Sequence, residues 1–389
     1  MAIRIDSLVN QGIHLNDRVN ILDTKSKSQA LLLPFMQIPT GHHHVADAVI
    51  EELERAVKSI NCEKVDILSY SFGKVERLVS ATYLNWIKMV PKAYDVVYNR
   101  LAVKNHTKRS RQRVYEAMFI AFFKKLMKET EPRILFCTHC LPSNIASVLK
   151  QKGKLHAVTV NVYTDFFINR VWGISGIDYH IVPSITVKKF LLDLGVDEER
   201  IFVTGIPVHP VFRIPYQKKS NQKLHVLITG GSLGIASMDK LIPSHPEIKY
   251  TVLCGHNEKL YQDLSEWNHP YVQPIRYVDS KARMNELYNQ VDAVITKPGG
   301  VTISECLMKR IPIFTCNALP GQEKVNEMEL AQLGIVNQVN PFERSIESQV
   351  KEFFQDNERQ LMYEENLNLY HEYVERNSLS EILLTICKA

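Results

Sequence analysis

The sequence predicts an α/β protein made of two Rossmann-like domains, with parallel sheets facing each other across a cleft. Short apolar runs recur with helix-length segments between them, the rhythm lapses into one polar, basic stretch near the middle, and it then starts again. With 389 residues and 45% hydrophobic residues, the chain can bury a full core and has the length for two domains.

The first run, Ala30 to Ile38 (ALLLPFMQI), reads as a strand and is followed by a turn with Pro39 and Gly41. In VADAVIEELERAVKSI, Val45, Val49, Leu53 and Val57 repeat at helical spacing, giving strand, loop, helix. Strand-like runs follow at Val65 to Ser69, Ile134 to Cys137, Ala157 to Val162 and Tyr179 to Val182. Between Phe212 and Leu224, RIPYQKKSNQK has linker composition. The second series comprises His225 to Thr229, Tyr250 to Cys254, Val291 to Thr296 and Ile311 to Phe314. The tail from Arg359 to Ala389 is helical in pattern, and the segment before Ala30 shows no clear element. The expected division is therefore 1–212, a linker at 213–223, 224–358 and a helical tail at 359–389. Ligands of open α/β sheets bind at the carboxyl ends of strands, so the loops after these runs are the ones to examine.

Lys and Arg number 47 against 42 Asp and Glu, a net charge of +5, too sparse for a dedicated nucleic-acid binder. Seven scattered cysteines fit a reducing compartment rather than a disulfide framework, which points to the cytoplasm. No apolar run approaches the about 18 residues of a membrane span, and no export signal opens the chain.

The stretch Thr296-Lys297-Pro298-Gly299-Gly300-Val301-Thr302-Ile303-Ser304-Glu305 follows a strand and opens a helix. Its glycines admit a close ligand, and a helix N-terminus offers free N–H groups and a positive dipole end to a diphosphate. Thr302 and Glu305 also stand at capping-box spacing, so a purely structural cap accounts for the same pair. A second glycine loop, Thr229-Gly230-Gly231-Ser232-Leu233-Gly234, either presents amides and the Ser232 hydroxyl to phosphate or forms an ordinary turn. In PGQEKVNE, Gln322, Glu323 and Asn326 share one side of a helix start, suited to sugar hydroxyls or to plain N-terminal placement. No Asp-x-Asp occurs, so a metal-held diphosphate has no sequence support; no metal and no cofactor are expected. The His42–His44 run is poor geometry for one metal ion, since neighbouring residues point in different directions. Cys137-Thr138-His139-Cys140 has C-x-x-C spacing but no second pair and reads as packing thiols.

In combination, TKPGGVTISE, IPIF, PGQEKVNE, GGSLG, CGHNEKL (254–260) and TGIPVHPVF (204–212) resemble the monogalactosyldiacylglycerol synthase and processive diacylglycerol glucosyltransferase family, relatives of MurG. The resemblance runs from about Ala30 to the C-terminal helix and is most specific in the second half. It implies a GT-B fold with an acceptor- and membrane-facing first domain and a UDP-sugar-binding second one, and inverting transfer of a hexose to a lipid such as diacylglycerol. It places the donor on Gly231, Ser232, Thr296 to Gly300, Glu305 as ribose carboxylate, and Gln322, Glu323 and Asn326. In the first half, Gly41-His42 and Thr164-Asp165-Phe166 with Trp172 match, whereas Pro39 and Asn169 stand where the family usually has glycine and histidine.

His42 is the candidate general base, since a histidine titrates near working pH; Asp165 either orients it or is itself the base. The Arg100 to Arg113 stretch, RLAVKNHTKRSRQR, holds six basic and no acidic residues between aromatic-rich segments. Beside the resemblance, Trp86, Lys108, Arg109, Arg111 and Arg113 become candidates for an anionic membrane surface, at about 1 kcal/mol per basic residue. The expected location is the cytoplasm, peripheral on the inner face of the cell membrane. The departures at Pro39 and Asn169 keep two other readings open: a transferase for a soluble small-molecule acceptor, and a nucleotide-sugar-binding protein without turnover.

Overall fold

The computed structural model describes residues 29–35, 41–57, 60–72, 113–213, 223–230, 241–319, 321–374, 376 and 378–388. They form two six-stranded sheets, every paired strand parallel. The first sheet comprises β1 (Ala30–Leu33), β2 (Cys62–Lys64), β3 (Ile134–Cys137), β4 (Val158–Val162), β5 (Tyr179–Val182) and β6 (Ile201–Val203), ordered β2-β1-β3-β4-β5-β6. The second comprises β7 (His225–Thr229), β8 (Lys249–Leu253), β9 (Val272–Ile275), β10 (Ala293–Thr296), β11 (Ile313–Thr315) and β12 (Asn337–Gln338), ordered β12-β11-β10-β7-β8-β9. Strand order reverses between β1 and β3 in one sheet and between β7 and β10 in the other, the two places where such sheets open a ligand crevice.

The central strands are buried along their whole length, as Ala30 to Leu33 and Ala293 to Thr296 are, because helices cover both faces. The covering helices that matter for the site are α1 (Gly41–Ala56), α2 (Ile67–Phe72), α3 (Arg113–Thr130), α4 (Cys140–Gln151), α5 (Ile185–Asp193), α6 (Glu258–Trp267), α7 (Lys281–Tyr288), α8 (Gly300–Met308) and α9 (Gln322–Gln332). One expectation fails locally: Val65 to Ser69 is not a strand. The strand lies earlier, at Cys62–Lys64, and the Asp66 carboxylate accepts from Ser69 N at 2.8 Å, capping α2. The edge strands β6, β9 and β12 are too short or polar for an apolar-run reading, and β9 carries Pro274, which an edge tolerates.

The C-terminal region supplies α10 (Ile346–Gln355), which precedes the expected tail, and then α11 (Asn357–Val374) and α12 (Leu379–Lys388). Helix α12 buries Leu379, Ile382, Leu383 and Ile386 and packs on α1, so the chain's last helix lies on its first domain. One apolar cluster therefore runs through both halves, from Ala30 and Val45 to Val226 and Ile295. A buried carboxylate, Glu52 of α1, joins three elements: it accepts from Arg213 Nη1 at 3.1 Å and from the Ser380 hydroxyl of α12.

Glu52→Ala is expected to lower the free energy of unfolding by about 1.5 to 3 kcal/mol, the worth of charge-assisted hydrogen bonds to a buried group. Denaturant titration of the variant against the parent reads this directly, and an unchanged midpoint would mean that the carboxylate contributes nothing to holding α12.

Candidate active site

The helices that begin at Gly41 and Gly300 start against each other. On the first sheet, α1, the first described helix after β1, begins at Gly41, and its next residue is His42. His42 Nδ1 lies 2.8 Å from the Thr138 carbonyl oxygen at the end of β3 and 3.1 Å from the Thr164 hydroxyl, while Thr138 Oγ1 donates to the His42 carbonyl at 3.1 Å. A carbonyl oxygen can only accept, so Nδ1 carries the proton and Nε2 is left with its lone pair, the form a base requires. Burial holds the His42 imidazolium below the ordinary histidine value, against the opposing pull of Asp165 and the Thr138 hydrogen bond. His139 stands edge-on to His42 at 4.7 Å, stacks on Phe35 at 4.5 Å, and accepts from Leu141 N to cap α4.

The three consecutive histidines diverge. His43 Nε2 lies 3.3 Å from Asp66, and His44 Nδ1 accepts from Lys281 at 3.3 Å. Among the described residues, no group of three or more His, Cys, Asp or Glu is placed to hold a metal ion.

On the second sheet, Thr296 ends β10 and is buried, as are Pro298 and Gly300, with Lys297 and Gly299 half-buried. Helix α8 starts at Gly300, with Gly299 as an N-cap that has no side chain to offer. The capping-box alternative therefore fails. Thr302 is the third helical residue rather than the cap, and Glu305 bonds elsewhere: its Oε2 accepts from Tyr288 OH at 2.9 Å, and Lys281 Nζ stands 3.7 Å from Oε1. Burial raises the Glu305 carboxyl, with Lys281 and the Tyr288 hydroxyl opposing.

The two domains touch here. A methyl group on Gly300 would fall 2.1 Å from the Thr164 carbonyl oxygen, and one on Gly41 3.1 Å from Val301 Cγ2, so both positions exploit the missing side chain. Asp165, next to Thr164, reaches across: its Oδ2 accepts from Gln322 Nε2 at 2.6 Å and its Oδ1 from Asn326 Nδ2 at 2.8 Å. Asn326 Oδ1 in turn accepts from Phe166 N at 2.8 Å. Asp165 is thus not the group that orients His42; the Thr138 carbonyl does so, because both Asp165 oxygens are engaged by α9. Glu323 turns back to accept from Leu319 N at 2.8 Å and closes its own loop, and burial raises its carboxyl. Trp172 is buried against the Tyr163 ring at 4.6 Å, and Asn169 Oδ1 accepts from Val171 N.

Gly231, Ser232, Trp86, Lys108, Arg109 and Arg111 lie outside the described residues, as does Pro39; Arg113 is the first residue of α3. Cys137 and Cys140 are free thiols, and burial pushes the Cys140 thiol up to about 12. Sequence reasoning missed Thr138, His44, Lys281 and Tyr288. Thr138 acts through its backbone, which leaves no signature, and Lys281 and Tyr288 sit two turns apart on a polar helix with no motif around them.

The profile for monogalactosyldiacylglycerol (MGDG) synthase matches residues 42–208, and that for the glycosyltransferase family 28 C-terminal domain matches residues 225–375. The uncharacterized glycosyltransferase YkoN of Bacillus subtilis (strain 168) is 41% identical over 362 residues, 92% of this chain and 96% of the relative. A processive diacylglycerol beta-glucosyltransferase of Bacillus pumilus (strain SAFR-032) is 25% identical, covering 85% of this chain and 84% of its own. Among solved structures, Acinetobacter baumannii MurG superposes with a TM-score of 0.58 at 12% identity, over 93% of this chain and 100% of that one, a likeness of fold. The chain belongs to the family of monogalactosyldiacylglycerol synthases and processive diacylglycerol glucosyltransferases, and it is a GT-B glycosyltransferase.

Proposed function

We propose that this enzyme moves a hexose from a UDP-sugar to a lipid acceptor such as diacylglycerol, by a single inverting displacement that needs no metal ion. The observation that carries the reading is the meeting of two helix N-termini, those of α1 and α8, with His42 on one side and Glu305 on the other. Each such terminus presents unpaired N–H groups and about half a positive charge, so an anion between them is attracted by both. A nucleoside diphosphate supplies that anion. Its ribose hydroxyls would donate to Glu305, and its sugar would lie toward Gln322 and Asn326, in place of the hydrogen bonds these now give Asp165.

In the reaction, the acceptor oxygen forms a bond to the anomeric carbon while the bond from that carbon to the diphosphate oxygen breaks. The acceptor proton passes to His42 Nε2, and UDP departs carrying its extra negative charge toward the helix termini. Lys297, beside them, adds a cation. The new imidazolium is favoured by the nearby Asp165 carboxylate, the charge that already opposes burial at His42. The relatives described as diacylglycerol glucosyltransferases support a lipid acceptor. Among the described residues, no helix is long and apolar enough to cross a membrane. The enzyme would therefore draw its lipid from the surface of a bilayer, with the basic Arg100 to Arg113 stretch as the contact.

Incubation with several UDP-sugars and a bacterial lipid extract is expected to release UDP and give a glycolipid of defined mass, undiminished by excess EDTA. Release only with soluble acceptors would replace the lipid by a small molecule. Loss with EDTA that magnesium or manganese restores would end the metal-free account.

Glu305→Ala is expected to weaken UDP binding by about 1.5 to 3 kcal/mol, read by calorimetric titration. Unchanged affinity in a folded variant would leave the carboxylate a purely structural partner of Tyr288 and Lys281.

His42→Ala should lower turnover by about 10² to 10⁴ with UDP affinity near that of the parent. The sign of the pH response follows from burial: the base must be neutral, and its imidazolium is held below the ordinary value of about 6.5, so activity persists below that pH before falling. Asp165→Asn removes a charge that favours the imidazolium, which moves the acid limb of kcat to still lower pH and leaves part of the activity. An inactive Asp165→Asn enzyme beside an active His42→Ala enzyme would exchange the two roles.

A further inference from the structure

Lys281 is the first residue of α7, directly after the N-cap Ser280. A cation there opposes the helix dipole, at a cost of about 0.3 to 1 kcal/mol, so its own helix gives no reason for it. Its contacts do. The ammonium stands 3.7 Å from Glu305 Oε1 in the second domain and donates to His44 Nδ1 of α1, 3.3 Å away in the first. Burial and Lys281 itself bring the His44 imidazolium down to about 4, so the ring is neutral and its Nδ1 lone pair is available to the ammonium. His44 is two residues beyond His42 on the same helix.

We propose that Lys281 is a positioning residue that ties Glu305, the carboxylate for the nucleotide ribose, to the helix that carries His42, and so fixes the donor and acceptor sides of the site relative to each other. The proposal rests on the ribose reading of Glu305. Both Glu305 oxygens are addressed from α7, Oε2 by the Tyr288 hydroxyl and Oε1 by Lys281, with Cys306 as the titratable neighbour on its own helix. The 3.7 Å separation exceeds a hydrogen bond, so Lys281 stabilises the ionised carboxylate without saturating Oε1, which keeps lone pairs for a hydroxyl donor. On the α1 side, the charged and titratable neighbours of His44 are Lys281, Asp47, His43 and Lys64. Lys64 is engaged with Asp47, and His43 lies against Asp66.

The test compares the parent with Lys281→Met, Lys281→Arg, His44→Ala and Glu305→Gln, measuring UDP affinity by calorimetry at about pH 8 and about pH 5.5, and turnover at saturating UDP-sugar. Without its cation, the buried Glu305 carboxyl takes up a proton at higher pH. Lys281→Met should therefore lose UDP affinity between those pH values by about threefold to tenfold more than the parent does. Its turnover should also fall, and Lys281→Arg should restore both. His44→Ala should lower turnover while keeping the parental pH response of UDP binding, because Glu305 retains its lysine. A Lys281→Met enzyme with the parental pH response, or a turnover loss that Lys281→Arg shares in full, overturns the proposal. Glu305→Gln separates its failure from that of the ribose reading. If Glu305→Gln binds UDP like the parent, the ribose reading falls; if it binds weakly while Lys281→Met matches the parent, only the role of Lys281 falls.

Discussion

Helices α1 and α8 start against each other, and this contact is electrostatically unfavourable in isolation. Two N-termini in contact bring together two partial positive charges and two sets of N–H groups without intrahelical partners. The fold holds them there by apolar packing elsewhere: α1 lies between the first sheet and α12, and α8 buries Ile303, Cys306 and Leu307. Glycine at positions 41 and 300 allows the approach, and the Thr164 carbonyl against Gly300 supplies a negative dipole where a side chain would stand. A packed scaffold thus maintains a region of positive potential that an anionic ligand relieves, which is how preorganised sites stabilise a charge that appears on a leaving group.

The two carboxylates across this contact have different work because their neighbours differ. Asp165, from the first domain, takes hydrogen bonds from Gln322 and Asn326 of the second, so without substrate the domains are joined through polar groups that a sugar would also address. A sugar hydroxyl that replaces Asp165 as partner of Gln322 gives up a charge-assisted hydrogen bond worth about 1.5 to 3 kcal/mol, which a new donor to the Asp165 oxygens would have to offset. Discrimination among sugars would then rest on which hydroxyls reach those amides and that carboxylate. Glu305 is instead held within the second domain by Tyr288, which suits a group whose position should not change as the domains adjust.

Most of the fold was legible in the sequence, because fully buried parallel strands read as uninterrupted apolar runs and their helices as three-to-four-residue repeats. It failed at Val65 to Ser69, where Asp66 begins a helix that apolar content alone disguises as a strand. On the donor side, the glycines of Thr296 to Gly300 and the polar start of α9 are local signals for a local geometry. The acceptor side was less legible because its decisive contacts are long-range and partly backbone: His42 is oriented by a carbonyl 96 residues away, and Asp165 is engaged by α9, more than 150 residues on. Lys281 escaped notice for the same reason, since its purpose lies in two other elements.

The arrangement around His42 also bears on which group takes the proton. Both oxygens of the Asp165 carboxylate accept from amide donors of α9. The imidazole has one nitrogen committed to the Thr138 carbonyl, and the other keeps its lone pair. Burial favours the neutral ring, as the proposed role of base needs, and Asp165, close enough to be felt, would lower the energy of an imidazolium formed there. Desolvation therefore sets the resting state and the carboxylate favours the charged one. Exchanging the two groups would leave neither property in place.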